Sequence, residues 1–284
     1  MTRSSVVSRT LTHLFLVTLL VVWVLPSLGL LVTSVRTAAD TSQTGWWTVF
    51  ADPFDADQYS LANYRKVLFQ RGMARAFVNS VIVTVPSVII PLLIASLAAF
   101  AFAKMHVQGK RWLLPLFVGL LVVPPQMAFI PDLRIFNAIG LTGSYPAVWL
   151  AHTAFALPLM VYLIHNFMSE IPVDLVDSAY IDGASSFTVF HQIVLPLSLA
   201  AIASLSIFQF IWVWNNLLLA LIFLGGASDV APMTVRIASL VGVRGEGWEV
   251  LTAAAFVSLV LPMIVFFGLQ QYFVRGLLAG SVKG

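Results

Sequence analysis

The spacing of charge constrains this chain more than any motif in it. With Asp, Glu, Lys and Arg taken as interruptions, six uninterrupted stretches of at least 20 residues remain, at 10–35, 76–103, 112–131, 135–169, 183–228 and 250–274. A hydrocarbon core about 30 Å thick is crossed by roughly 20 apolar residues in a helix, so each stretch is long enough for a membrane span. Composition agrees: 60% of the 284 residues are hydrophobic and 10% are charged, against about 25% charged in an ordinary soluble domain. A barrel is excluded by pattern, because its strands run about ten residues with alternating polarity, whereas Leu, Val, Ile, Ala and Phe here follow one another without alternation. The expected fold class is all-α, a polytopic protein with six transmembrane helices in a lipid bilayer.

Within those stretches the spans are expected at about 14–35, 77–103, 112–131, 147–167, 196–224 and 250–274, together one transmembrane domain over 14–274. The first apolar run is longer than the roughly 7 to 15 residues of a cleavable signal, so a retained helix is expected there, with cleavage near Ala38 and Ala39 as the alternative. Pro124, Pro125 and Pro131 fall in the third span, and proline removes an amide donor and clashes with the preceding turn, so that helix must bend or stop. Between 195 and 224 no turn cluster marks a reversal, and one long or broken helix is expected there. With the N-terminus inside, seven basic residues lie inside and eight outside, which decides nothing, but Lys104, Lys110 and Arg111 crowd into the eight residues 104–111. Short basic loops stay cytoplasmic, so both termini, 1–13 and 275–284, are expected on the cytoplasmic side of a membrane that the chain crosses several times.

Most chemistry is excluded by what the sequence lacks. Without cysteine there is no disulfide scaffold, thiolate metal site or thiol nucleophile. The net charge of +3 is scattered over loops and forms no patch for nucleic acid. No H-E-x-x-H, G-x-S-x-G or Walker sequence occurs, so no catalytic residue, metal site or bound cofactor is expected, and the chain is not an enzyme. The uncharged stretches hold no Asp, Glu, Lys or Arg to bind a coupling ion, and His152 and His165 suit packing or interfacial hydrogen bonds better than a proton relay. If the chain moves a solute, energy is expected to enter through a partner. An ion-coupled carrier and a non-transporting assembly protein stay open at this point.

A partner needs a docking surface, and the segment between the fourth and fifth spans, 168–195, offers one. It reads E-I-P-V-D-L-V-D-S-A-Y-I-D-G-A-S-S-F-T-V-F-H-Q-I-V-L-P from Glu170. Pro172 suits the first turn of a helix, Leu175, Ala179 and Ile181 give it an apolar side, and Asp182-Gly183 stops it, because glycine adopts the left-handed conformation that ends a helix. Ser185 or Ser186 then caps a second short helix, leaving Ala179, Gly183 and Ala184 at a tight corner. Farther on, Gln209, Trp212, Asn215 and Asn216 are expected near one side of the fifth span, where aromatic and amide groups suit either a solute pathway or interhelical packing.

The run Asp177-Ser178-Ala179, then Asp182-Gly183-Ala184, then Ile193, Leu195 and Pro196 resembles the EAA loop of the membrane subunits of binding-protein-dependent ABC importers. Asp177 keeps the carboxylate of that pattern one methylene shorter, and Ser178 keeps its small size. Asn79-Ser80, Trp214-Asn215-Asn216, Gly276 and the closing Ala279-Gly280-Ser281-Val282-Lys283-Gly284 look like the sugar-importing, maltose-type branch. The resemblance implies the ABC type I permease fold, with Leu175, Asp177, Ser178, Ala179, Ile181, Asp182, Gly183 and Ala184 docked on an ATPase and Ser281, Lys283 and Gly284 of the tail also reaching it. It further implies a second related permease, two ATPase subunits that bind ATP and Mg, an extracytoplasmic solute-binding protein, and a carbohydrate substrate, an oligosaccharide such as an alpha-glucoside.

Overall fold

A computed structural model describes the backbone of residues 3–241 and 247–279, and side chains over 8–241 and 247–270. Five helices, Ser8–Ser34, Met73–Lys104, Tyr145–Ser169, Ser186–Trp214 and Trp248–Gln270, are long and apolar enough to cross a bilayer. The third span, expected at 112–131, bends at its prolines: Lys110–Leu120 and Pro125–Ala138 meet at 102°. Pro124 is extended, with ψ near 125°, and Pro125 opens the second piece, where its missing amide costs nothing. The fifth span, expected at 196–224, is also interrupted. Leu195–Trp214 ends at Asn215, and Asn216 accepts from the Leu219 amide at 2.9 Å to cap a separate helix, Leu217–Leu224.

The chain divides into two contact units, 1–74 with 236–260, and 75–235 with 261–284. In the first, the N-terminal helix leads into a cap of short helical turns built around Arg36, which is 2% exposed. Its guanidinium donates to the Gly45 carbonyl at 2.9 Å and to Thr44 Oγ1 at 2.6 Å. Asn63 Nδ2 then donates to the carbonyls of both Ser34 and Arg36, so the chain reversal after the helix is closed by side-chain hydrogen bonds to backbone carbonyls. Gly29 lets the Trp46 indole lie against the helix, since a Cβ there would stand 2.8 Å from the ring.

In the second unit two apolar clusters form the core. One gathers Ala95, Phe100, Met160, Ile164, Met168, Val176, Val189 and Phe190. The other gathers Val83, Phe129, Val148, Ala151, Leu219 and Phe223. Asn79, buried at the start of the second span, donates to the carbonyls of Asp229 and Ala231 and accepts from the Tyr145 hydroxyl, while Ser80 Oγ accepts from the Met233 amide. Loop residues far away in sequence are thereby tied to the same turn of helix.

The second span carries two internal prolines, Pro86 and Pro91. Each removes the amide that would have bonded the carbonyl four residues earlier, freeing Ile82 and Ser87 C=O. Both are recovered by side chains from other helices: Trp149 Nε1 donates to the Ile82 carbonyl at 2.9 Å and Gln209 Nε2 to the Ser87 carbonyl at 3.1 Å. In lipid, where water cannot substitute, such repair is what makes proline tolerable within a span. Gln209→Leu should therefore destabilise the protein by about 1–3 kcal/mol, the cost of an unsatisfied buried acceptor. Pro91→Ala added to it restores the amide that Ser87 lost, and thermal unfolding in detergent should show the double variant recovering most of that loss.

Candidate functional site

The segment after the fourth span folds as two short helices at a hinge. Val173–Ile181 starts after Pro172, with Asp174 in its first turn, where a carboxylate opposes the positive end of the helix. It ends in a Schellman motif: the Gly183 amide donates to the Tyr180 carbonyl at 3.0 Å and the Ala184 amide to the Ala179 carbonyl at 2.9 Å. Gly183 has φ of +84°, the left-handed region that an L side chain adopts only at a cost. Ser185 Oγ accepts from the Thr188 amide at 3.2 Å and caps the second helix, Ser186–Val189.

Burial sorts the side chains of this segment into two sets. Val176, 2% exposed, together with Val189, Phe190 and Val194, enters the apolar cluster of the second and fourth spans. Ala179 and Ala184 pack on the same cluster, so Ala179, expected as an outward apolar contact, instead faces the permease itself. Lys104 Nζ donates to the Ile171 carbonyl and ties the end of the second span to the start of the segment. Facing out are Ile181 at 85% exposure, Phe187 at 69%, Val173 and Leu175. Asp174, Asp177, Ser178 and Asp182 are exposed beside them, and the Ser178 hydroxyl donates to the Leu175 carbonyl at 3.1 Å. Val173 and Phe187 were not among the expected contacts; an aromatic residue two positions after the Ser185 cap, on a segment otherwise rich in polar residues, was the available signal for Phe187.

The four residues expected along one side of the fifth span separate. Gln209 is 5% exposed and its amide is committed to Ser87. Asn215 Nδ2 donates to the Ile211 carbonyl at 2.9 Å, and Asn216 caps the following helix, so the break removes both from the helical face. Gln209 and Trp212 remain together on a cleft of about 330 Å³ whose other walls include Leu121, Phe155, Met160 and Phe208. The Trp212 ring meets the His152 ring edge-on, with centroids 5.0 Å apart and an interplanar angle of 88°. The half-exposed Trp212 ring on a mostly apolar cleft suits stacking on a sugar ring. Among the described residues no cluster of three His, Cys, Asp or Glu can hold a metal ion. Ser281, Lys283 and Gly284 lie outside the described residues.

Residues 60–278 match the family described as the binding-protein-dependent transport system inner membrane component. The osmoprotective compounds uptake permease protein GgtD of Synechocystis is 51% identical over 271 residues, 95% of this chain and 91% of that protein. The alpha-glucoside transport system permease protein AglG of Rhizobium meliloti is 51% identical over 232 residues, which cover 80% of this chain and 61% of that longer protein. In fold, the chain superposes on a solved bacterial ABC transporter involved in the import of the acidic polysaccharide alginate, with a TM-score of 0.78 at 18% identity, covering 96% and 99% of the two chains. These likenesses favour transport over an assembly role, and a binding-protein-dependent system over an ion-coupled carrier.

The hinge makes a specific demand on position 183. A Cβ there meets nothing within 4 Å, so Gly183→Ala is opposed only by its backbone, at about 1–2 kcal/mol. Hydrogen exchange of the Ala184 amide should accelerate roughly ten-fold, with amides of the second span unchanged.

Proposed function

The chain belongs to the family of binding-protein-dependent transport system inner membrane components, and we propose that it is one permease half of an ATP-driven importer of an oligosaccharide such as an alpha-glucoside. The likeness to AglG supports the substrate class, and the Trp212 ring on the cleft supports a route for sugar rings. A second related permease completes the pathway, an extracytoplasmic binding protein delivers the solute, and two separate ATPase subunits bind ATP and Mg. Both termini and the basic turn at 104–111 face the cytoplasm.

The observation that carries this reading is the exposure of four apolar side chains, Ile181, Phe187, Val173 and Leu175, among the exposed carboxylates of Asp177 and Asp182, on a segment whose inner residues belong to the core. Apolar side chains so exposed on a cytoplasmic surface call for a covering partner, and the helix pair fits a cleft in the ATPase. Closure of the two ATPases would push on these side chains. Val176, Val189 and Phe190 would pass the displacement to the second and fourth spans, reorienting them between inward and outward access. The tail, through Ser281, Lys283 and Gly284, would extend the same contact.

Uptake of labelled maltose into vesicles holding the assembled importer tests this. Ile181→Glu and Asp182→Arg should each reduce ATP-driven uptake at least ten-fold while the chain still reaches the membrane folded. Assembly and uptake at the unchanged level in both variants would overturn the docking assignment. Deleting 277–284 should lower the ATP hydrolysis stimulated by binding protein, and an unchanged rate would remove the tail from the interface.

A further inference from the structure

We propose that a small polar cavity beside the break in the fifth span binds one water molecule, which joins His152 Nδ1 to Thr84 Oγ1 and so makes His152 a positioning residue for Trp212. The cavity, about 10 Å³, has the room that a single water needs. Ser80, Thr84, His152, Asn216 and Thr234 contribute its polar lining. Thr84 and His152 are each 1% exposed, and both Thr84 Oγ1 and His152 Nδ1 lack a hydrogen-bond partner. Two buried unsatisfied atoms on one small cavity are costly apart, yet a shared water satisfies both, donating to one and accepting from the other. Ser80 Oγ already accepts from the Met233 amide and keeps its own hydrogen as a further donor. No carboxylate lines the cavity, which argues against a cation, and its size rules out a sugar.

The position gives the water a consequence. Asn216 both lines the cavity and caps the helix Leu217–Leu224, so the joint lies where the fifth span changes direction. The His152 ring also meets the Trp212 ring edge-on, with centroids 5.0 Å apart, and Trp212 lines the 330 Å³ cleft. Fixing Nδ1 of His152 fixes the ring plane, and the ring plane sets how the indole faces the cleft. This link to transport rests on the function proposed above, whereas the water site itself does not.

Thr84→Val, nearly isosteric, and Thr84→Ser, which keeps the hydroxyl, separate the two cases. Without a water, replacing an unpartnered hydroxyl by a methyl is neutral or stabilising. With it, the full-length Thr84→Val chain in detergent should unfold about 2–4 °C lower, and Thr84→Ser should regain most of the loss. The 19F resonance of 5-fluorotryptophan at position 212, assigned with Trp212→Phe, should shift in Thr84→Val and His152→Phe and return in Thr84→Ser. In assembled importer the KM for maltose should rise several-fold in Thr84→Val at little change in kcat. A Thr84→Val chain as stable as the parent, with an unshifted resonance, overturns the water site. A shifted resonance and lowered stability in an importer that carries no maltose uphold the site and count against the carbohydrate reading instead.

Discussion

A backbone carbonyl inside a bilayer has no water to turn to, and in this chain that constraint decides which helices touch. Pro86 and Pro91 release two carbonyls of the second span, and Trp149 of the fourth span and Gln209 of the fifth recover them. Each bond is directional and spans about one contact distance, so it fixes the rotation of its helix as well as its proximity. The apolar clusters on either side then pack around helices whose register is already determined. A proline placed within a span therefore serves as a socket for a neighbouring side chain.

The same unit explains how a surface loop can act as a lever. The helix pair at 173–189 has too few residues to be stable alone, since an isolated helix below about 12 to 15 residues is marginal. Its stiffness comes from Val176, Val189 and Phe190, buried with Phe100 of the second span and Ile164 of the fourth. Interiors packed at crystal-like density transmit displacement instead of absorbing it. The outward face, by contrast, is left uncovered around Ile181 and Phe187, so one element presents a rigid root and an open apolar edge.

Much of this was legible in the residues. The charge-free stretches announced the helical membrane fold, the prolines at 124 and 125 announced a bend, and Asp182-Gly183 with Ser185 announced a stop and a restart, because each signal is local to its own backbone. What stayed hidden depended on partners distant in sequence. Gln209 reads as a pathway amide until Ser87, 122 residues earlier, is seen to claim it. Ala179 reads as an outward contact, because a nine-residue helix with apolar residues on both sides does not declare which side meets the core. The break at Asn215 and Asn216 is a capping event that two adjacent amides in an apolar run signal only weakly. The sharpness of the third-span bend, 102°, exceeds what a proline pair specifies by itself.

The central claim is that the edge around Ile181 is gripped by a separate nucleotide-hydrolysing subunit. A photo-activated cross-linking amino acid at position 181, in membranes containing the whole importer, tests it most directly. The account predicts one dominant product joining this chain to the ATP-binding subunit, with a yield that changes when ATP is added. Cross-linking confined to lipid, or to no partner under either condition, would contradict it.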